Sequence, residues 1–252
     1  MDNERARLYS QVIEETSQLI RQTSESSGGV IRVSPETAAL LDAVAPADGQ
    51  PPQADEDAWA QLESEVASCT KCALAQSRTQ TVFGGGNRKS GLVFVGEAPG
   101  FYEDQQGIPF VGKAGRLLTD IIVKGMKMQR EDVFICNVLK CRPPDNRDPR
   151  PDEVTQCEPY LVRQLELMRP KVICALGGHA AKTLLKTTES TGRLRGAWHF
   201  YHGVPLRVTY HPAYLLRNPA DKAKTWDDIK HVIRLLNGQE QAERGPGSMD
   251  AG

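Results

Sequence analysis

The sequence predicts an α/β fold, a three-layer α/β/α arrangement around a central, mainly parallel sheet of four strands, and three observations carry that reading. Short, largely apolar runs recur at residues 92–95, 133–136, 172–176 and 206–210, the last interrupted by Arg207 and Thr209. Runs of this kind suit buried strands. Helical periodicity follows each run, over about 113–125, 151–168, 178–187 and 225–237. Strands alternating with helices build parallel sheets, whose functional groups collect at the carboxyl ends of the strands. Gly96-Glu97, Asn137, Gly177-Gly178 and His211-Pro212 all stand at those ends.

In chain order, residues 1–27 place Leu8, Val12, Ile13, Leu19 and Ile20 on one helical face, and Ser26-Ser27-Gly28-Gly29 closes the pattern. Residues 42–57 are rich in Ala, Pro, Asp and Gln, a composition that buries little apolar surface and reads as a linker. Residues 1–58 are therefore expected to form an acidic extension, 59–237 the folded domain and 238–252 a flexible tail. Gly84-Gly85-Gly86-Asn87-Arg88-Lys89-Ser90 fails as a phosphate-binding loop. Arg88 stands where glycine must precede Lys-Ser, and a strand follows where a helix is required. A flexible hairpin is the better reading. The helix at 151 opens with Pro151, Asp152 and Glu153, which suit a helix N-terminus.

The formal net charge of −1 conceals a polarity along the chain. Residues 1–65 hold 4 basic and 13 acidic groups, whereas residues 66–236 hold 26 and 16. A basic surplus on the folded body suits a polyanion such as nucleic acid. No apolar run approaches the roughly 20 residues that span a bilayer, and the first residues lack the apolar stretch of a secretory signal. A cytoplasmic chain with no membrane partner is expected, its six cysteines serving as ligands or buried thiols rather than disulfides.

Cys69 and Cys72 form a Cys-x2-Cys pair, while Cys141 and Cys157 flank a Pro-rich loop. All four lie in polar contexts, unlike Cys136 and Cys174, which are embedded in apolar strands and read as packed thiols. Spacing alone leaves an iron–sulfur cluster and a zinc site both open. At the strand ends, the Asn137 amide offers a donor beside an acceptor, the complement of the O4 and N3–H edge of uracil. His211 can donate to charge developing on a leaving group. His179, His199, His202 and His231 show no such convergence and read as structural or exposed.

Several motifs in order resemble the family-4 uracil-DNA glycosylases: Cys69-x2-Cys72, Gly96-Glu97-Ala98-Pro99-Gly100, Gly107-Ile108-Pro109-Phe110-Val111-Gly112-Lys113-Ala114-Gly115, Asn137-Val138-Leu139-Lys140-Cys141-Arg142-Pro143-Pro144, Asn146-Arg147-Asp148-Pro149 and the segment 211–219 from His211-Pro212 to Asn218-Pro219. The match covers about residues 60–237. The resemblance implies a monomeric enzyme of base excision repair that hydrolyses the N-glycosidic bond of uracil in DNA. It also implies a [4Fe-4S] cluster on Cys69, Cys72, Cys141 and Cys157. By the same likeness Phe110 would stack on the extruded uracil, Asn137 would read its edge and Glu103 would crowd its C5 position. Gly96, Glu97 and Ala98 would form the pocket floor, with Glu97 near the sugar, and His211 would stabilise the departing base. The segment containing Tyr214, Leu215, Leu216 and Arg217 would enter the DNA. Phe101-Tyr102 and Tyr214 depart from the family pattern, which has acidic and small residues there. Two other classes of function fit parts of the sequence: an iron–sulfur redox or electron-transfer protein, and a non-catalytic nucleic-acid-binding module.

Overall fold

The structure is a computed structural model that describes residues 53–245 and 247–251. The helix expected over 1–27, and the linker up to residue 52, lie outside the described residues. The first element is α1 (Gln53–Ala67), so residues 53–57 are helical and not linker as expected. Trp59, Leu62 and Val66 recur at helical spacing and are all buried. Their side chains make the helix part of the folded body.

Next come β1 (Gly85–Gly86), β2 (Leu92–Gly96), α2 (Phe101–Gln106) and α3 (Lys113–Asp120), which continues as one π-helical stretch to Met126. The chain then runs through β3 (Phe134–Asn137), α4 (Pro151–Met168), β4 (Val172–Leu176), α5 (Gly178–Leu185) and α6 (Thr191–Leu194). It finishes with β5 (Trp198–Tyr201), β6 (Val204–Thr209), α7 (Pro212–Arg217), α8 (Lys222–Leu236) and β7 (Asp250–Ala251). Among the described residues no helix is long and apolar enough to cross a membrane.

The sheet has seven strands in the order β1-β3-β2-β4-β6-β5-β7, not four. The four expected strands are its parallel centre, β3-β2-β4-β6. The three additions lie outside that centre and left little trace in the sequence. β1 and β7 are two residues each, too short to show a period. β5 pairs antiparallel with β6 through His202-Gly203, both at positive φ, the backbone that a tight two-residue hairpin requires. The C-terminal segment is not a free tail as expected: β7 pairs with β5, and the Met249 N–H donates to His199 Nδ1 at 3.1 Å.

Successive residues of the central strands feed two cores. Val93, Val95, Phe134, Cys136, Ile173 and Ala175 face a layer containing α1, α4 and α5. Leu92, Phe94, Ile135, Val172 and Cys174 face α3, its π-helical extension and α8. Fully burying one such side chain contributes roughly 1.5–3 kcal/mol, so both covering layers are strongly held. Register then sets the site, because Gly96 lies opposite Asn137 and Leu176 opposite Thr209.

Candidate active site

The carboxyl ends of β2, β3, β4 and β6 open onto one cavity of about 670 Å³, whose lining includes Glu97, Ala98, Glu103, Phe110, Asn137 and His211. Asn137 ends β3 and is buried. Its backbone carbonyl accepts from Lys140 Nζ at 2.8 Å, and the same ammonium donates to Gln164 Oε1 at 2.6 Å. Among the described residues, its side-chain Oδ1 has no hydrogen-bond partner. Leaving a buried polar atom unpaired costs about 1–3 kcal/mol, a cost that a donor on a bound ligand would remove. Gly96 permits that arrangement by close approach. A Cβ there would lie 2.3 Å from Asn137 Oδ1 and 2.6 Å from the Phe110 ring.

Phe110 stands at φ 53°, a left-handed backbone conformation that costs a non-glycine residue on the order of 1–3 kcal/mol. Two clamps hold it there. Glu103 Oε1 accepts from the N–H groups of Val111 and Gly112 at 2.9 and 3.1 Å. Arg130 donates to the carbonyls of Pro109 and Phe110 at 2.7 and 3.2 Å. The resemblance placed Glu103 against a base; the structure also gives its carboxylate the task of fixing the Phe110 loop. The Phe110 ring lies 5.6 Å from that of His211, tilted by 34°.

His211 caps the N-terminus of α7 and accepts from the Ala213 N–H through Nδ1 at 3.1 Å. A ring that accepts at Nδ1 carries its proton on Nε2. Burial, reinforced by the Arg217 charge, lowers its pKa to about 4, against the opposing pull of Glu103. At neutral pH it is therefore a neutral Nε2–H donor. Gly177, at φ +91°, makes room for it, because a Cβ there would come within 2.8 Å of His211 Cβ.

Glu97 follows β2, and its carbonyl accepts from the Leu139 N–H at 3.0 Å. Burial raises its carboxyl pKa; nearby His179 lowers it and Asp148 raises it. His179, read from the sequence as structural or exposed, is exposed and also lines the cavity. Its position directly after Gly177-Gly178 at a strand end was the signal available in the sequence. Arg147 and Asp148 also line the cavity, and they belong to the Asn146-Arg147-Asp148-Pro149 motif, to which the sequence reading assigned no role.

The segment expected to enter DNA divides. Leu215 is buried and lines a small cleft with Leu117, Ile121 and Ile229, so it anchors α7 and is not available to DNA, which corrects the expectation. Tyr214 is half-buried, with its hydroxyl donating to Asp221 at 2.7 Å and its ring stacked on Tyr210 at 4.8 Å. Leu216 and Arg217 are exposed.

On another part of the same body, Cys69, Cys72, Cys141 and Cys157 line one small cavity with Leu74, Arg78 and Tyr160. Arg78 donates to Cys141 Sγ at 3.3 Å and to the Cys69 carbonyl at 2.7 Å. The Lys140 N–H donates to Cys157 Sγ at 3.2 Å. Burial raises the pKa of Cys141 and pushes that of Cys157 up to about 11. Among the described residues, the group of His, Cys, Asp and Glu side chains whose ligand atoms all lie within 4.8 Å of one another is Glu97, Asp148 and His179. The four cysteines are spread wider than that. A tetrahedral zinc site, with Zn–S bonds of about 2.3 Å, would draw its sulfurs to about 3.8 Å apart.

The model of the uracil DNA glycosylase superfamily matches residues 83–230. A type-4 uracil-DNA glycosylase of Saccharolobus solfataricus is 44% identical over 186 residues, which is 71% of this chain and 86% of that protein. A type-4 uracil-DNA glycosylase of Archaeoglobus fulgidus is 46% identical over 185 residues, 70% of this chain and 92% of that protein. The corresponding protein of Thermotoga maritima is 43% identical over 165 residues, 65% and 85% of the two chains. With the matched stretch running through all four central strands and the cavity at their ends, the chain belongs to the uracil-DNA glycosylase superfamily, alongside its type-4 members.

Proposed function

We infer that this chain hydrolyses the N-glycosidic bond of uracil in DNA, releasing free uracil and leaving an abasic site for base excision repair. The observation that carries the reading is the unpaired, buried Asn137 Oδ1 facing a cavity shared with Phe110 and the neutral donor His211. An oxygen acceptor seeks the N3–H of uracil, and the amide nitrogen can then meet O4. Cytosine, with the reverse polarity, leaves the pair mismatched. A base inside a duplex must first be extruded, at a cost of a few kcal/mol in lost stacking. Phe110 offers the face on which the extruded ring stacks, and Gly96 and Ala98 shape the pocket floor. As the bond breaks, negative charge collects on the base and positive charge on the sugar. His211 Nε2–H donates to the first, and the Glu97 carboxylate, once ionised, opposes the second. Exposed Leu216 and Arg217 are suited to support the duplex gap and to contact phosphate, with Tyr214 behind them. The substrate is DNA, on which the chain acts as a monomer. Incubating the protein with a uracil-containing oligonucleotide and measuring free base tests the reading; an oligonucleotide left intact would sink it.

The cysteines support a [4Fe-4S] cluster. Four thiols from three segments converge on one cavity, and two sulfurs already accept hydrogen bonds. Bound there, the cluster would supply a covalent cross-link among Cys69, Cys72, Cys141 and Cys157. Hydrolysis requires no electron transfer, so its contribution is structural. The cysteine cavity and β3 are linked through Lys140, which follows the Asn137 turn and precedes Cys141.

A further inference from the structure

The scheme above assigns no group to the attacking water. Asp148 and His179, to which it gives no role, meet Glu97 on one wall of the same cavity. The ligand-forming atoms of the three lie within 4.8 Å of one another. His179 Nε2 stands 3.5 Å from Asp148 Oδ1, long for a direct hydrogen bond and suited to a bridging water. The corners of a triangle with no side above that length are all within about 2.8 Å of a common point, a normal hydrogen-bond length to a water oxygen.

We propose that Glu97, Asp148 and His179 together hold the water that attacks the sugar, with His179 as its positioning donor. The proposal rests on the glycosylase reading of the cavity. The water donates to the two carboxylates and accepts from His179 Nε2–H, which leaves one lone pair for the anomeric carbon C1′. That lone pair forms the new O–C1′ bond as the C1′–N1 bond breaks. The electrons of the broken bond leave with uracil, next to His211, and the proton lost by the water passes to Glu97. Free uracil and a hydroxyl on C1′ complete the balance.

The three supports are placed by separate elements. His179 lies in the first turn of α5. Asp148 lies in the loop before α4, where its carbonyl accepts from Arg147 at 3.0 Å while that guanidinium is paired with Glu153. The titratable and charged groups that line the cavity with Glu97 are His179 from α5, Arg147 and Asp148 from this loop, Glu103 from α2, Tyr210 and His211 before α7, and Tyr214 and Arg217 from α7. Of these, His179 favours the ionised carboxylate and Asp148 opposes it.

Single-turnover cleavage of a uracil-containing oligonucleotide, measured across pH, tests the arrangement in the full chain. H179L should cut the rate about tenfold or more with uracil-DNA binding unchanged, and H179Q, which keeps a donor near the Nε2 position, should recover much of the loss. The acid limb of the profile should move to higher pH in H179L and to lower pH in D148N. The side chains of His179 and Asp148 are 48% and 76% exposed, so melting temperatures should hold. Wild-type rates in both H179L and D148A, or limbs that do not move in opposite directions, would overturn the proposal. So would loss of wild-type cleavage in EDTA with recovery on adding Mg²⁺, which would make the trio a cation site. If wild-type protein releases no uracil, the glycosylase reading itself fails; an active wild type with an unaffected H179L removes only the water site.

Discussion

In the strand-end cavity Asn137 Oδ1 lacks a partner among the described residues, Phe110 sits at φ 53° and His211 is held neutral by burial. Around the cysteines, by contrast, Arg78 and the Lys140 N–H donate to two of the sulfurs, and Cys141 and Cys157 pack into the main core. The first region keeps its polar groups unspent for a ligand, whereas the second uses its polar groups to hold itself together. The difference teaches where each kind of damage should register: rate for the cavity, folding for the cysteines.

The largest effect is expected from Cys141→Ala. Ligands drawn from distant segments couple metal binding to folding, and structural metal centres can contribute on the order of 10 kcal/mol. Bound iron and melting temperature should both fall, with a reduced yield of folded protein. Full iron content at an unchanged melting temperature would break the contrast by removing Cys141 from the ligand set.

His211→Ala should do the reverse. Losing one transition-state donor costs about a hundredfold or more in rate, so single-turnover cleavage should drop by that factor while iron content holds. Phosphate contacts dominate DNA affinity, and binding with its salt dependence should change little. Near-normal cleavage would show that the capping bond to Ala213 is the whole role of this ring.

The same histidine sharpens the comparison through pH. Its folded pKa is about 4, against 6.5 for the free side chain, so between those values the unfolded chain binds more protons than the folded one. Its stabilising contribution is complete above pH 6.5 and is lost as pH falls through about 4. At roughly 1.4 kcal/mol per pKa unit, the loss reaches at most about 3.5 kcal/mol. Urea unfolding of wild type at pH 7 and pH 5 should show part of this slope, and His211→Ala should flatten it. An equal slope in both proteins would mean that His211 titrates normally.

How much was legible in the sequence follows the same division. The central strands and the helices on either side were visible because burial on both faces leaves largely apolar runs, broken in the fourth strand by Arg207 and Thr209. Asn137 and His211 were visible as polar residues closing such runs, and four cysteines in polar contexts stood out from the two in strands. The place of His179 in the cavity was not legible because it depends on the meeting of α5 with the loop before α4, a proximity that no local pattern encodes. Leu215 was misplaced because a motif gives its neighbourhood, while helical geometry decides which side chain turns inward. The two-residue strands β1 and β7 owe their pairing wholly to β3 and β5.

The smallest effect is expected at the N-terminal boundary. Both cavities are lined by residues beyond 65, and we propose that residues 1–52 take no part in the cleavage chemistry. Removing them should leave cleavage within about tenfold of wild type, equivalent to roughly 1.4 kcal/mol of barrier. Removing residues 1–67 is a different operation. It strips away Trp59, Leu62 and Val66, which pack into the core beside the cysteine cavity, and it deletes Glu65, which pairs with Arg163 of α4. Arg88, whose guanidinium lies 5.0 Å from the Trp59 ring and 5.8 Å from that of Phe83, would lose the nearer of its two aromatic partners as well. The longer truncation should therefore lower melting temperature and iron content together, as damage to the structural region must. A tenfold or greater loss of rate in the shorter truncation, with stability intact, would instead assign the extension to the chemistry of the strand-end cavity.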